Sequence, residues 1–223
     1  MIIGVFGMIG STKTSGAVRK IVRNPHSYFY TNFDVKTKNV HRLKKADLVK
    51  AFDKDGKELK YPLFSEKGIK FMANWDFLED IGKKHKYYSL MIDEIGNIFM
   101  SRRSMSGFSI EGIRIISQMR KILSDNPNNH AYLLTQHIDR LDKAWRELLQ
   151  RIIYCRKEIV KGKVYSHQMM FDSDDLYTAE VKYLNYLENP ADDSMISSEF
   201  MVNVEPYFRF YNTLQIVRES EWL

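Results

Sequence analysis

Apolar runs alternate with amphipathic stretches in the first part of the chain. Residues 2–6 (IIGVF) form an apolar run with the length and the β-branched content of a buried strand. An apolar stripe from Lys13 to about Val22 predicts a helix, which Asn24-Pro25 should end. The following segment, residues 27–33 (SYFYTNF), is rich in strand-forming residues. The opening therefore predicts a strand–loop–helix–strand unit with parallel strands.

The same alternation predicts the rest of the fold. Further strands are expected at residues 87–92, 130–135 and 151–155, and helices at 107–123 and 138–149. Residues 34–72 are polar and basic, and there we expect one short helix near 45–52 and a hairpin, followed by a helical turn at 75–81. After residue 163 the pattern weakens, and we expect an edge strand at 164–171, a helix at 174–186, a loop at 190–205 and a final element at 207–213. The chain is thus predicted to be α/β, with a central, mainly parallel sheet flanked by helices.

Length and composition suit one compact domain. The chain has 223 residues, of which 44% are apolar and 13% aromatic, and this is enough for a packed core. We divide it into a core over residues 1–160 and an acidic C-terminal extension over residues 161–223 that packs on the core. No run of about 18 apolar residues occurs, so the sequence predicts no membrane span. The single cysteine, Cys155, excludes an internal disulfide and suits a reducing interior.

Charge is distributed unevenly along the chain. Residues 1–165 carry 31 Lys and Arg against 17 Asp and Glu, whereas residues 166–223 carry 3 against 11, and together these give the net charge of +6. The asymmetry indicates a polyanionic partner for the basic part, or an acidic region that packs on basic surface. A solvated surface without special purpose explains the charge alone equally well.

A phosphate-binding loop is predicted between the first strand and the first helix. The segment GMIGSTKT lies in register with the pattern G-x-x-x-x-G-K-[ST] and has the required strand before it and helix after it. Glycines let backbone N–H groups curl around an anion, and the helix adds its positive N-terminal end. Lys13 should reach the β- and γ-phosphates of ATP, and Thr14 should bind Mg²⁺. The full set predicted to bind the nucleotide is Gly7, Gly10, Ser11, Thr12, Lys13, Thr14 and Ser15.

One position departs from that pattern. Thr12 stands where the second glycine is expected, which affects the close approach of the backbone to the phosphates. Low affinity, or a loop that becomes ordered only on assembly, would follow. The competing interpretation is a glycine-rich turn with a chance Lys-Thr pair.

Two strand ends carry the remaining candidate chemistry. The strand LMI is followed by Asp93 and Glu94, which would orient Mg²⁺ and act as general base on the attacking water, respectively. The strand HAYLLT ends in Gln136, a candidate sensor of the γ-phosphate that we group with Lys13 and Glu94 as catalytic. Strand ends often carry acids and amides, so the spacing relative to the phosphate loop provides the specificity.

Arginines could also act on the nucleotide of a neighbouring subunit. An arginine beside the γ-phosphate stabilises the charge that develops in the transition state. The arginines that could do this are Arg102, Arg103, Arg120, Arg140 and Arg146. The sequence alone does not choose among them, and we take Arg103, Arg120 and Arg146 as the possible trans arginines.

Four segments carry a resemblance to a known family. The segments GMIGSTKT, SYFYTNF, LMIDEIGNIFMSRR and HAYLLTQHIDRLDKAWREL resemble the zonula occludens toxin-like P-loop ATPases of the FtsK–HerA class, over roughly residues 2–160. This class includes assembly ATPases of filamentous phages and relatives of viral genome-packaging ATPases. The resemblance implies a RecA-like P-loop NTPase core, assembly into a ring, usually a hexamer, and ATP-driven movement of DNA.

The resemblance also assigns roles to residues. It implies that Lys13 and Thr14 bind phosphate and Mg²⁺, that Asp93 and Glu94 form the acidic pair, and that Gln136 is the sensor. The segment YFRFYNT resembles the closing Tyr-Asp-Thr stretch of the family, with Asn212 where Asp is usual. Phage extrusion members carry a membrane anchor, and its absence here favours a packaging-type motor in the cytoplasm, the host cytoplasm for a viral protein, or the virion.

Three functions remain open from the sequence. The first is an ATP-hydrolysing motor that moves double-stranded or single-stranded DNA. The second is a nucleotide-binding interaction protein in which the degenerate loop supports little hydrolysis. The third is a small-molecule kinase, which the Asp93-Glu94 pair fits less well because kinases transfer phosphate to a substrate hydroxyl.

Overall fold

The protein is built around one eight-stranded sheet with the strand order β10-β9-β8-β1-β7-β6-β2-β3. The computed structural model describes residues 1–59, 68–95, 107–123 and 126–211. The strands are β1 (Ile2–Phe6), β2 (Tyr28–Thr31), β3 (Val40–Arg42), β4 (Val49–Phe52), β5 (Lys70–Ala73), β6 (Tyr88–Ile92), β7 (His130–Thr135), β8 (Arg151–Val160), β9 (Lys163–Asp172) and β10 (Ser198–Asn203). Strands β4 and β5 form a separate antiparallel pair.

Six strands of the sheet are parallel, and two antiparallel strands extend one edge. Strand β1 lies in the middle, with β7 on one side and β8 on the other, both parallel to it. The turn after β8 reverses the chain, so that β9 pairs antiparallel with β8 and β10 antiparallel with β9. Strands β1, β6 and β7 are buried on both faces, and their mostly apolar sequences do not alternate with exposed polar residues.

Helices cover the two faces of the sheet unequally. The helices are α1 (Lys13–Arg23), α2 (Lys45–Leu48), α3 (Trp75–Lys84), α4 (Gly107–Ser117), α5 (Met119–Ile122), α6 (Lys143–Arg146) and α7 (Ala179–Glu188), with 3₁₀ turns at Ile138–Arg140, Asp193–Met195 and Glu205–Phe210. Helix α1 and the last 3₁₀ turn pack on one face, over Ile3 and Val5 of β1. Helices α2 to α7 pack on the other face, over Ile2 and Phe6. None of the helices in the described ranges is long and apolar enough to cross a membrane.

The predicted α/β architecture is confirmed, including the mainly parallel sheet. The predicted helix over residues 138–149 is wrong, because the chain is extended at Leu141 and Asp142 caps a new short helix, α6. The predicted loop over 190–205 is also wrong, since it contains β10, and β10 covers β9, which is therefore not an edge strand.

The division of the chain at residue 160 stays a prediction. The position coincides with the two-residue turn between β8 and β9. Two carboxylates after this turn pair with arginines before it. Asp172 pairs with Arg151, the first residue of β8, and Glu180 pairs with Arg146 at 2.9 Å. The acidic part of the sequence thus contacts basic groups of the first part.

One buried amide joins three segments at the amino-terminal edge of the sheet. The Asn129 side chain accepts a hydrogen bond from the Tyr88 N–H at 3.0 Å and donates one to the Leu123 carbonyl at 3.0 Å. Its main-chain carbonyl accepts a bond from the amino group of Met1. Asn129 is only 1% exposed, so water cannot replace these bonds.

We therefore expect Asn129→Ala to lower the free energy of unfolding by about 2–4 kcal/mol, because two backbone groups lose a buried partner. Urea unfolding monitored by circular dichroism measures the change. The control is Asn128→Ala, at an exposed neighbouring position, which should change stability by less than about 0.5 kcal/mol. Equal effects of the two substitutions would show that the buried amide does not stabilise this edge.

Candidate active site

The loop between β1 and α1 depends on two glycines. Gly7 has φ 150°, and a Cβ atom there would lie 2.4 Å from the main-chain oxygen of Cys155. Gly10 has φ 77°, in the left-handed region. Gly7 thus needs glycine for space and conformation, and glycine at position 10 avoids the strain that a side chain would have in the left-handed region. Ser11 N–H donates to the Met8 carbonyl at 3.0 Å and closes the turn before α1.

Thr12 has a left-handed backbone conformation, which favours glycine. Its φ is 75° and its ψ is 13°, which is left-handed, and it is the N-cap residue of α1 without a side-chain cap. A β-branched residue in this region is strained by roughly 1–2 kcal/mol. Thr12 in place of the expected glycine thus costs energy.

Lys13 lies inside the loop. Its ammonium group donates to the carbonyl oxygens of Gly7 at 2.7 Å and Met8 at 3.2 Å, and the residue is 7% exposed. Burial lowers the pKa of Lys13, while the carboxylates of Asp93 and Glu94 raise it. The ammonium group therefore lies against the main chain of the loop.

Asp93 links the end of β6 to the loop. The Thr14 hydroxyl donates to Asp93 Oδ2 at 2.6 Å, although the two residues are 79 positions apart. The Asn32 side chain holds the main chain of Asp93 on both sides: it accepts from the Asp93 N–H at 2.7 Å and donates to the Asp93 carbonyl at 2.8 Å. Burial raises the pKa of Asp93, and the bond from Thr14 opposes that rise.

Glu94 is turned toward the end of β7. Its φ of 50° is left-handed, and its N–H donates to Asp93 Oδ1 at 2.9 Å. Gln136 Nε2 lies 3.5 Å from Glu94 Oε1, and Arg140 Nη1 lies 3.8 Å from Glu94 Oε2. Since β7 lies between β1 and β6, Gln136 reaches both sides, and its carbonyl accepts from the Gly7 N–H at 3.3 Å.

The oxygen atoms at this site that could coordinate a metal suit a magnesium ion. Mg²⁺ prefers a few carboxylate and hydroxyl oxygens together with waters and phosphate oxygens. Thr14 and Asp93 present a hydroxyl and a carboxylate 2.6 Å apart. The Ser11 hydroxyl is buried and has no hydrogen-bond partner among the described residues, as expected next to a site that binds a polar ligand.

Ser15, the last residue of the predicted binding set, makes a different contact. Its hydroxyl lies 2.7 Å from the hydroxyl of Tyr211, 196 residues later in the chain. The last described segment thus closes over the start of α1. Asn212, the other residue singled out in the closing stretch, lies outside the described residues.

The arginine candidates occupy different places. Arg103 and Arg102 lie outside the described residues. Burial and, to a lesser extent, the charge of Arg120 lower the pKa of the Met1 amino group, so Arg120 lies near the opposite end of β1 from the loop. Arg146 pairs with Glu180 and lies 3.8 Å from Asp139. An action of any of them on a neighbouring subunit stays a prediction.

Two contributors to the site had no assigned role in the sequence. Asn32 belongs to the Tyr-Thr-Asn stretch after the first helix, where a polar residue directly follows a buried strand. Tyr211 belongs to a stretch whose role was open. A polar residue after a core strand is a signal that could have identified Asn32, whereas the contact of Tyr211 has no local signal.

The strand order, and the meeting of these residues at the strand ends, define a RecA-like P-loop NTPase fold. The strand that carries the acidic pair is separated from the loop strand by β7, and the loop, the acidic pair and Gln136 meet at the carboxyl ends of the three strands. The chain belongs to the zonular occludens toxin (Zot) family, whose model matches residues 1–188. The resemblance to zonula occludens toxin-like proteins inferred from the four segments is thereby confirmed, and the FtsK–HerA class stays a prediction. A comparison with curated proteins finds no match.

Solved structures include similar folds. The N-terminal domain of zonular occludens toxin from Neisseria meningitidis has a TM-score of 0.54 and 15% identity, over 95% of this chain and 98% of that chain. The genome packaging NTPase B204 from Sulfolobus turreted icosahedral virus 2, in complex with ATP-gammaS, has a TM-score of 0.45 and 15% identity, over 77% of this chain and 91% of that chain. At 15% identity, the likeness to the zonular occludens toxin domain shows a shared fold.

The strain at Thr12 can be tested by substitution. We expect Thr12→Gly to raise the free energy of unfolding by about 0.5–1 kcal/mol, because relief of the left-handed strain exceeds the extra entropy of glycine in the unfolded chain. The control is Thr178→Gly, at an N-cap with φ −70°, which should lose a few tenths of a kcal/mol instead. Urea unfolding measures both, and a loss of stability in Thr12→Gly would contradict the strain.

Proposed function

We propose that this protein is a Mg²⁺-dependent ATPase that moves DNA and works as a ring of identical subunits, in viral genome packaging or virion assembly. The observation that carries the ATPase activity is the hydrogen bond between Thr14 and Asp93, with Glu94 held beside it. It joins the phosphate loop to the acidic pair, so the groups for binding and for hydrolysis share one site.

Each group then has one task in hydrolysis. Lys13 and the N–H groups of the loop bind the β- and γ-phosphates of ATP. Glu94 accepts a proton from a water molecule while the water oxygen forms a bond to the γ-phosphorus, and the bond from that phosphorus to the bridging oxygen of ADP breaks. Gln136 and Arg140 hold the carboxylate of Glu94 in position. The products are ADP and inorganic phosphate.

Thr14 and Asp93 are the residues that would hold magnesium. When bound, the ion neutralises charge on the phosphates. The hydroxyl of Thr14 and the carboxylate of Asp93 already face each other, so the protein provides the oxygen pair before any ligand arrives.

The motor function rests on charge and on the family. The excess of Lys and Arg in residues 1–165 supports binding to the phosphates of double-stranded or single-stranded DNA. A ring, a hexamer by the family resemblance, would let an arginine of one subunit reach the nucleotide of the next, and Arg103, Arg120 and Arg146 remain the candidates. We place the protein in the cytoplasm of the host or in the virion.

One observation favours an alternative with little hydrolysis. Thr12 is strained, and Lys13 is bonded to the loop's own carbonyls, so nucleotide must displace these bonds. A nucleotide-binding interaction protein would show measurable ATP affinity and no turnover, with or without DNA.

We expect Glu94→Gln to lower the turnover of Mg²⁺-ATP at least about 100-fold, because the amide cannot accept the proton. Lys13→Ala should weaken ATP binding, because it removes the buried cation. Phosphate release, with and without double-stranded DNA, measures the first effect, and equilibrium binding measures the second. Glu188→Gln, an exposed substitution on α7, is the control and should change neither. Unchanged turnover in Glu94→Gln would disprove the catalytic assignment.

DNA binding should depend steeply on salt. A logarithmic plot of affinity against salt concentration should be linear, with a slope of about −0.9 for each phosphate of double-stranded DNA that the basic part contacts. Fluorescence anisotropy of a labelled duplex at several salt concentrations measures this slope. Affinity that does not change with salt would contradict the electrostatic basis of DNA binding.

A further inference from the structure

A cavity of about 350 Å³ adjoins the phosphate loop. One side is formed by the loop and the first turn of α1, from Gly10 to Ser15. The other side is formed by Lys157 of β8, Val164 of β9, and the side chains of Phe208 and Tyr211. The volume lies within the range of about 300–1,000 Å³ that small-molecule sites occupy.

The aromatic side of this cavity is fixed to the rest of the fold at three points. Val204 N–H donates to the Val164 carbonyl at 3.1 Å, which ties the segment to β9. Lys36 N–H donates to the Phe210 carbonyl at 2.8 Å, which ties it to the chain after β2. The hydroxyls of Tyr211 and Ser15 meet at 2.7 Å, which ties it to α1. The distance between the aromatic rings and the loop is therefore set by the fold.

The chemistry of the lining suits the uncharged end of a nucleotide. Phe208 and Tyr211 both line the cavity, and they form an edge-to-face pair with ring centroids 6.5 Å apart. Burial raises the pKa of Tyr211, so its hydroxyl stays protonated while it meets Ser15. Aromatic faces bind nucleobases by stacking, whichever base is present.

The position of the cavity next to the loop indicates where the nucleoside would lie. Phosphates would lie against the loop N–H groups and Lys13, so the nucleoside must leave the loop through a space that the loop borders. A larger crevice of about 410 Å³ also reaches Lys13, but it runs along α1 to Arg23 and borders none of Gly10, Ser11 and Thr12. The 350 Å³ cavity borders all three.

We propose that this cavity binds the nucleoside part of the nucleotide, with the base stacked on Phe208 and with Tyr211 positioned by Ser15. This inference rests on the proposed binding of ATP at the loop. It makes Phe208 and Tyr211 part of the binding site, and it gives Phe208 the role of recognising base rather than phosphate.

Comparison of two ligands separates base binding from phosphate binding. Equilibrium binding of Mg²⁺-ATP and of Mg²⁺ with inorganic tripolyphosphate is measured by calorimetry for the unmodified chain. The same is done for Phe208→Ala, Phe208→Trp, Lys13→Ala and a matched control, Phe210→Ala, whose ring packs against the core below α1 and does not line the cavity.

Phe208→Ala is expected to weaken ATP about tenfold, near the lower end of what stacking of one base contributes, and to leave tripolyphosphate within about twofold. Phe208→Trp should retain ATP affinity because it retains a stacking face. Lys13→Ala should weaken both ligands. Phe210→Ala should leave the ratio of the two affinities unchanged.

The remaining outcomes contradict either the base stacking on Phe208 or the binding of ATP at the loop. If Phe208→Ala weakens both ligands equally or neither, base stacking on Phe208 is wrong while ATP binding at the loop stands. If the unmodified chain binds neither ligand, the proposed function fails and this inference fails with it. Retained tripolyphosphate binding in Phe208→Ala also shows that the substituted chain is folded around the loop.

Discussion

A buried carboxylate, Asp93, holds the site together. An ionised carboxylate removed from water costs several kcal/mol unless hydrogen bonds compensate, and here it accepts them from the Thr14 hydroxyl and the Glu94 N–H. Asn32 adds a pair of bonds to the Asp93 main chain. These contacts connect the ends of β2 and β6 and the start of α1, which are distant in sequence. Loss of the bond from Thr14 or from Glu94 would leave the buried carboxylate with one hydrogen bond fewer, and loss of Asn32 would separate the end of β6 from the end of β2.

The parallel sheet explains why chemistry gathers at one edge. Strands β1, β7 and β6 are adjacent and parallel, so their carboxyl ends meet, and each is followed by a polar segment. The strand in the middle, β7, ends in Gln136, whose carbonyl contacts the loop and whose amide faces Glu94. A group on the middle strand that touches both neighbours is in a position to respond to phosphate on one side and to the carboxylate on the other. The antiparallel strands β9 and β10 then bring the last segment back to α1.

Local patterns predicted the parts of the fold that local chemistry determines. Core strands buried on both faces were found as apolar runs, and α1 ends at Arg23, one residue from the predicted end. Strand β10 was missed because four of its six residues are exposed and no apolar alternation marks it. The helix over 138–149 was overextended because its apolar stripe continues past Asp142, whose side chain caps a new helix. In the site, the loop and acidic pair follow from motif and spacing, but the bonds of Asn32 and Tyr211 span 61 and 196 residues, and no pattern within one segment encodes them.

The conformation of the loop explains how the chain accommodates Thr12 between β1 and α1. A left-handed residue at this position directs the backbone into α1, and the strain of roughly 1–2 kcal/mol is small beside the burial of Val18 and Ile21 that anchors the helix. The bonds from Lys13 to Gly7 and Met8 stabilise the loop without ligand, so binding exchanges contacts and does not create them from water. The affinity for a nucleotide would then be the difference in free energy between a loop bonded to itself and a loop bonded to the nucleotide. In the proposed complex, contacts outside the loop, such as those to the nucleoside, would therefore contribute a larger share of the affinity than in a loop whose lysine makes no bonds before the nucleotide binds.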